Sequence, residues 1–372
     1  MSGPPGAFGE DCLKLTTYFG ERDRTRDALV GDALLDAYGE QGLQASILLR
    51  GAEGFGRLHH LHTDRLLSLS EDLPVVSVAV DRRERIESML ETVLQIQRKG
   101  LVTLERARLL RGEVRSMALP ESLREAIKVT VYVGRQEKVD GSPAFAAITD
   151  LLYRRGLSGA TVLPGVDGTR RGRRARARFF ARNAEVPVMV IAVGSGESIA
   201  RVLPELGVML DDPLMTLERV RVCKRDGELL AAPQELPGTD GHGLAMWQKL
   251  MVYSSHAATH EGLQLHQAIV RRLRESDSAG VTALHGIWGF HGDHPPHGDR
   301  LFQWGRHVPA VTIVVDTPER IATAFAVIDE LTSERGLVTV EDIPAVARSE
   351  PGRGRSSFVM RILARASSLP SP

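Results

Sequence analysis

The chain has 372 residues, enough for two or three domains with separate cores. Its 47 basic and 47 acidic residues balance, so no overall field draws it to nucleic acid or to an anionic membrane surface. Two cysteines are too few for a disulfide framework, and the N-terminus lacks the basic and apolar regions of a secretory signal. No apolar run reaches the roughly 18 residues of a membrane span. We therefore expect a cytoplasmic protein that binds no specific nucleic acid.

The first hundred residues alternate between strand and helix periods. Apolar patterning predicts four strands, at 13–19, 44–50, 74–80 and 101–108. Residues 25–41 and the segment after Asp81 carry apolar side chains at helical spacing. The order βαββαβ predicts an α+β fold of the ferredoxin-like type, with an antiparallel sheet and both helices on one face. Because the third strand is apolar on both faces, the sheet face without helices must be covered too.

This unit occurs three times along the chain. The openings "LKLTTYFG", "IKVTVYVG" and "QKLMVYSS" align on Lys14, Lys128 and Lys249, and "GLVTLERARL", "PLMTLERVRV" and "GLVTVEDIPA" close the units. We place the repeats at 13–110, 127–223 and 248–346, followed by a tail at 347–372 that we expect to be mobile. Three similar modules close naturally into a ring. We therefore expect a monomer with the internal pseudo-threefold symmetry of a trimer, open to higher assembly.

A glycine-rich loop, "RGAEGFG", follows the second predicted strand of the first repeat. Its glycines permit positive φ and a nest of free backbone N–H groups for an anion, with charge from the adjacent arginine. The loop can equally be a turn that needs glycine. Its candidate ligand-binding residues are Arg50, Gly51, Gly54, Phe55 and Gly56. The first two glycines recur as Gly165, Gly168, Gly286 and Gly289, also candidates, and this recurrence favours a structural role for them.

The second and third repeats carry different chemistry in the corresponding loop. The second has "RRGRRARAR", in which Arg170, Arg171, Arg173 and Arg174 are candidates for binding nucleotide phosphates, nucleic acid or an acidic partner surface. A solvated basic loop with no specific ligand is the alternative. The third is rich in histidine. Its candidate metal ligands are His291, Asp293, His294 and His297. Their spacing matches no established zinc motif and the loop is rich in proline, so a divalent metal is not our leading expectation.

The first repeat resembles a known family. The segments "LKLTTYFGE", "LRGAEGFG", "HTDRLLSLSEDLPVVSVAVD" and "GLVTLERARLL" together are similar to the uncharacterised PII-like family called domain of unknown function 190 (uncharacterised protein family 0166). The resemblance implies a trimeric ferredoxin-like plan in which adenine nucleotides bind in clefts between subunits and the loop after strand two engages a partner. It also implies an association with fluoride-channel membrane proteins. The chain lacks the glycine-rich phosphate signature that PII proteins carry after strand three.

Three functional hypotheses follow. The first is a non-enzymatic PII-like regulatory or ligand-sensing protein that binds a small anionic ligand, with an adenine nucleotide as candidate, in clefts between repeats. Its loops after strand two would contact a partner, with a membrane transport or fluoride-channel protein as candidate. The second is a metal-binding protein or metal-dependent enzyme centred on the histidine-rich loop. The third is a ligand-free interaction scaffold. We expect no enzymatic activity, because the sequence contains no nucleophile motif.

Overall fold

A computed structural model of the chain describes residues 9–55, 62–63, 72–112, 114, 126–170, 173–174, 186–239, 246–276, 278, 280–292, 295–298, 308–334, 336–343 and 345–348. These residues form six helices and 25 strands. No helix among them is both long enough and apolar enough to cross a membrane. The tail beyond residue 348 lies outside the described residues.

Repeat 1 begins with an eleven-residue strand that alternates apolar and polar side chains, as expected for a strand with two different faces. Its elements are β1 (Glu10–Gly20), α1 (Val30–Glu40), β2 (Ala45–Arg50), β3 (Glu53–Phe55), β4 (His62–Thr63), β5 (Pro74–Arg82), α2 (Arg83–Ile96) and β6 (Leu101–Arg111). The four strands predicted from the sequence are present as β1, β2, β5 and β6. The segments β3 and β4 were not predicted.

Repeat 2 has the same order of main strands and helices, with additional short strands. Its elements are β7 (Ala126–Gly134), β8 (Lys138–Val139), β9 (Ser142–Pro143), α3 (Ala144–Arg154), β10 (Gly159–Pro164), β11 (Asp167–Arg170), β12 (Arg173–Arg174), β13 (Pro187–Ser195), α4 (Gly196–Met209), β14 (Leu214–Arg219), β15 (Arg221–Arg225) and β16 (Glu228–Leu229). The sequence predicts that Pro204 kinks α4 or delays its start. The late start is wrong, because the helix begins at Gly196, capped by the Ser195 side chain.

Repeat 3 completes the chain. Its elements are β17 (Trp247–Ser255), β18 (Thr259–His260), β19 (Leu263–Gln264), α5 (Leu265–Glu275), β20 (Val281–His285), β21 (Trp288–His291), β22 (His297–Gly298), β23 (Pro309–Asp316), α6 (Pro318–Leu331), β24 (Leu337–Ile343) and β25 (Ala345–Arg348). Pro318 opens α6, where its fixed φ suits the first turn and its missing N–H costs nothing.

Each repeat contains one antiparallel sheet of four main strands. In chain order within a repeat, the third strand pairs with the second and the first, and the first pairs with the fourth. The resulting orders are β2-β5-β1-β6, β10-β13-β7-β14 and β20-β23-β17-β24. The βαββαβ order predicted from the sequence is therefore observed in all three repeats.

The short strand after each second strand leaves its own repeat. Segment β3 of repeat 1 pairs with β20 of repeat 3, β11 of repeat 2 pairs with β2 of repeat 1, and β21 of repeat 3 pairs with β10 of repeat 2. We call these three segments the exchanged strands. They run around the assembly in one direction, so each repeat lends a strand to one neighbour and receives one from the other.

The fourth strands also join the repeats. The end of β6 pairs with β14, β15 continues from β14 to pair with β24, and β25 continues from β24 to pair with β6. The three sheets consequently close into a ring in which the third repeat returns to the first.

Two kinds of hydrophobic core result. Each repeat packs its helices on the outer face of its sheet, in a core of its own. A fourth core contains side chains from all three sheets and none from a helix, and it includes Val78, Ile191 and Ile313 from the third main strands. These strands alternate between the two cores, which explains why they are apolar on both faces. The predicted burial of the second sheet face is confirmed.

Candidate functional site

A closed ring of charges lies where the three sheets meet. Each repeat supplies a lysine from its first main strand and a glutamate from its fourth. The six side chains are only 2–6% exposed, and they are Lys14, Glu105, Lys128, Glu218, Lys249 and Glu341. We call this arrangement the axial ring.

Strand register sets half of the contacts in the axial ring. Lys14 lies opposite Glu105 in the β1–β6 pairing, with 2.8 Å between Nζ and the carboxylate. The other half joins repeats: Lys14 also contacts Glu218, and Lys249 lies 2.5 Å from Glu105. Every ammonium thus touches two carboxylates, and every carboxylate touches two ammonium groups. The three positive and three negative charges cancel inside a buried volume, which is the condition under which buried ions are tolerated.

The ion pairs shift the pKa values of the carboxyl groups. Burial acts to raise the pKa of Glu218, but Lys128 and Lys14 outweigh it and lower that pKa to about 2. Burial also acts to raise the pKa of Glu105, but Lys14 and Lys249 outweigh it and hold that pKa well below the usual range. Burial lowers the pKa of Lys128, and its two carboxylate partners do not fully restore it. The carboxyl groups of Glu105 and Glu218 are therefore ionised at neutral pH, as pairing requires.

The oxygens of the three axial glutamates are close enough together to suggest a cation site. Three lysine ammonium groups already occupy that role. The axial ring is therefore a structural element that joins the repeats.

Sequence reasoning found the lysines of this ring and missed the glutamates. The signal was available, because the aligned closing segments "TLER", "TLER" and "TVED" place an acid at the same position in each repeat. A recurrent lysine on one strand and a recurrent acid on the strand beside it indicate a buried pair.

The glycine loop of repeat 1 lies at a junction between repeats. The Gly51 N–H donates to the Pro74 carbonyl at 2.7 Å, and the Ala52 N–H donates to the Ala283 carbonyl of repeat 3 at 2.9 Å. Gly54 lies within β3, paired with Thr282. The predicted nest of free N–H groups is therefore wrong at Gly51 and Ala52, because these N–H groups donate to backbone carbonyls of β5 and β20.

The recurrent glycines are explained by close approach between chains. A Cβ atom on Gly51 would lie 2.6 Å from Pro74 Cγ, and one on Gly54 would lie 2.4 Å from the Val281 carbonyl oxygen. The φ angles of Gly51 and Gly54 are not positive, so the left-handed conformation is not the reason for glycine there, whereas Gly289 does have a positive φ, of 156°. Gly165, Gly168, Gly286 and Gly289 meet neighbouring backbone or side-chain atoms at 2.2–2.9 Å in the same way. Gly56 lies outside the described residues.

Phe55 crosses into repeat 3. It is 3% exposed and packs in the core beneath α5 and α6. Phe290 of repeat 3 enters the core of repeat 2 in the corresponding direction. Phe55 therefore lies at the junction of repeats 1 and 3, where its side chain packs in the core of repeat 3.

The placed candidate arginines pair with acids, and Arg174 does so across the junction with repeat 1. Arg174 lies 2.7 Å from Asp167 and 2.8 Å from Asp32 of α1 in repeat 1, and it also contacts Asp36. Arg170 contacts Glu137. Arg50 lies 2.9 Å from Glu21, and both of these side chains are exposed. Any anion that binds these arginines must compete with carboxylates.

Two further candidate arginines are less fully placed. Arg173 is placed by its backbone, which pairs with that of Arg170. Arg171 lies outside the described residues.

The predicted metal ligands are only partly placed. His291 Nε2 lies 3.3 Å from Asp226 of repeat 2, and His297 Nδ1 lies 2.9 Å from the Pro295 carbonyl oxygen. Asp293 and His294 lie outside the described residues. Metal binding by this loop stays a prediction.

Comparison with known proteins now identifies the family. The family model DUF190, described as "Uncharacterized ACR, COG1993", matches residues 12–109, 126–222 and 247–345. The chain belongs to this family. It contains three copies of the family domain, in agreement with the resemblance and the triplication expected from the sequence.

Relatives of the DUF190 chain are named UPF0166 proteins. One from Aquifex aeolicus is 33% identical over 72 residues, which is 19% of this chain and 68% of the relative. One from Methanocaldococcus jannaschii is 37% identical over 78 residues, or 20% of this chain and 70% of the relative. A second Aquifex aeolicus protein is 30% identical over 69 residues, or 18% and 72%. Each alignment is shorter than one repeat, whereas this chain contains three copies of the family domain.

Proposed function

We propose that this DUF190 chain is a non-enzymatic regulatory or ligand-sensing protein of the ferredoxin-like, PII-like type. A small anionic ligand binds at the junctions between repeats, and the loops that follow the second main strands contact a partner. An adenine nucleotide is the ligand class to test first. A membrane transport or fluoride-channel protein is the partner class suggested by the resemblance.

The exchanged strands carry this proposal. Each one places the start of its loop against a neighbouring repeat, so a ligand held there touches two repeats at once. Binding energy at such a place can change how the repeats pack and how the loops are held, which is the physical requirement for sensing. The strand order 2-3-1-4 within each sheet supports the ferredoxin-like assignment.

The junctions also differ in charge, which supports distinct roles for the three loops. Arg50 ends the second strand of repeat 1, Arg170 ends the exchanged strand of repeat 2, and Arg174 lies in β12, which follows it. Because these arginines already pair with carboxylates, a bound phosphate displaces a carboxylate from the guanidinium group.

Calorimetric and thermal-shift titrations of the full chain with ATP, ADP, AMP and cyclic dinucleotides test the proposal. Arg50→Gln should weaken binding if the junction of repeat 1 holds the anion. Arg155→Gln is a matched control, because Arg155 is also 52% exposed and lies 2.6 Å from a glutamate, but on the outer helices.

The variants Arg170→Gln and Arg174→Gln test the junction of repeat 2 in the same way. Binding that survives all three junction substitutions overturns the assigned site. A complete lack of response to these anions overturns ligand sensing in favour of the interaction scaffold.

A further inference from the structure

Three histidine side chains of repeat 3 lie together, and none of them is among the candidate metal ligands considered above. His256 directly follows β17, His266 is the second residue of α5, and His285 is the last residue of β20. Their ring centroids are separated by 4.7 Å (His256–His285), 5.0 Å (His266–His285) and 5.6 Å (His256–His266). We call these residues the histidine cluster.

The spacing of two imidazole nitrogens fits a shared metal ion. His266 Nε2 and His285 Nε2 are 3.4 Å apart. Two nitrogen ligands at the usual zinc distance of about 2.0–2.1 Å in a tetrahedral site lie about 3.3–3.4 Å from each other. The His256 ring packs edge-on against His285, and binding the same ion requires this ring to rotate away from the Gln264 side chain.

The surroundings hold these residues on a rigid frame. The His256 N–H donates to the Val308 carbonyl at 2.8 Å, and His285 is held in the β20–β23 pairing opposite Ala310. His266 is 2% exposed, whereas His256 and His285 are half-buried. The Gln264 side-chain nitrogen lies 3.0 Å from His256 Nδ1 and 3.1 Å from His256 Nε2, so this side chain packs against the His256 ring.

The fold itself does not require imidazoles at these three positions. The topologically equivalent residues of repeat 1 are Glu21, Gly31 and Arg50, of which Glu21 and Arg50 form an ion pair.

In repeat 2 the same places hold Arg135, Phe145 and Pro164, and Phe145 packs against Trp288. The same frame thus accepts an ion pair, an aromatic contact or a glycine. Three histidines at these places in one repeat alone indicate a chemical role.

We propose that His256, His266 and His285 bind a divalent first-row transition-metal ion, with Zn²⁺ as the ion to test. Nitrogen donors favour such ions over Mg²⁺ and Ca²⁺, which prefer oxygen ligands. This site is separate from the proposed anion binding at the arginines, and it is distinct from His291 and His297.

The test uses the full chain after treatment with a chelator. Zn²⁺ affinity is measured by competition with a chromophoric chelator, and Co²⁺ absorption reports tetrahedral nitrogen coordination. We expect one ion per chain at the cluster, with affinity reduced at least about 10-fold in His256→Gln and in His285→Gln. These two histidines are only half-buried, so the variants should keep the fold, which circular dichroism checks.

His260→Gln is the matched control, since His260 is also half-buried in repeat 3 but lies in β18. It should leave Zn²⁺ affinity unchanged. The proposal is overturned if the chain binds no Zn²⁺, if both cluster variants bind as the unaltered chain does, or if only His291→Gln or His297→Gln abolishes binding. Because no nucleotide is present in these titrations, the result is independent of the proposed anion sensing.

Discussion

At the scale of single residues, the axial ring predicts a large loss of stability from one substitution. Glu218 touches both Lys14 and Lys128, so its carboxylate links repeat 1 to repeat 2. Removing one charge from a buried network leaves another without compensation, and that loss typically costs about 3–5 kcal/mol.

We therefore expect Glu218→Gln to lower the free energy of unfolding by about 3–5 kcal/mol in urea titrations. Arg155→Gln removes an exposed ion pair with Glu205 and should leave the unfolding midpoint unchanged. Equal effects from the two substitutions would show that the axial ring contributes no more than a surface pair.

The lowered pKa of Glu218 also predicts an acid dependence. The folded-state pKa of about 2 lies below the usual value near 4.5, so ionisation of this group favours the folded state above that usual value. This stabilisation should be lost as pH falls from about 4.5 towards 2. Unfolding free energies measured across this range should decline less steeply in Glu218→Gln than in the unaltered chain. Parallel pH profiles would contradict the assignment.

At the scale of elements, the sequence predicted the main strands but not the exchanged strands. Alternation along Leu13, Leu15, Thr17 and Phe19 is long enough to define a strand. The exchanged segment Glu53–Phe55 has three residues, too few for a period, and its partner lies more than 200 residues away. The sequence therefore indicated that Gly51 and Gly54 recur, but not that a neighbouring backbone passes them.

The two glycines provide a test of this contact. Gly54→Ala should lower the free energy of unfolding by roughly 1–3 kcal/mol, because the new Cβ atom meets the Val281 carbonyl oxygen at 2.4 Å. Gly238→Ala is the control, since nothing lies within 4 Å of its Cβ position and its φ is not positive. Urea unfolding of both variants provides the comparison, and a neutral Gly54→Ala would argue against the β3–β20 pairing.

Phe55 tests the exchange in a different way. Phe55→Ala should cost about 3–5 kcal/mol, and the loss of packing falls on repeat 3, although the substitution is in repeat 1. Hydrogen exchange should therefore quicken in α5 and β20 of repeat 3. Phe290→Ala should act in the same manner on α3 and β10 of repeat 2. Faster exchange confined to the repeat that carries the substitution would refute the exchange.

At the scale of the whole molecule, sequence repetition predicted the number and internal order of the modules. It also predicted that the inner sheet faces are covered, because Val76, Val78 and Val80 occupy alternate positions of a strand that is apolar on both faces. The histidine cluster was not predicted, because His256, His266 and His285 belong to three different elements. Only the fold shows that they take the same places as Glu21, Gly31 and Arg50.

Closure of the ring within one chain predicts a mass of 40.7 kDa in light scattering and a single cooperative thermal transition. No repeat can unfold without withdrawing a strand from its neighbour, so the three should melt together. Because no association step is involved, the midpoint should not change with protein concentration. A mass near three times that of the chain would contradict intramolecular closure, whereas the mass of two rings would not.

Covalent continuity has a further consequence for how the exchanged strands evolve. In a ring built from three copies of one polypeptide, any substitution appears at all three junctions, and any binding site appears three times. Here each junction is encoded separately, so a change that suits one contact is not imposed on the other two. A ligand specific to one junction therefore binds with a stoichiometry of one per ring, and its titration curve lacks cooperativity between identical sites.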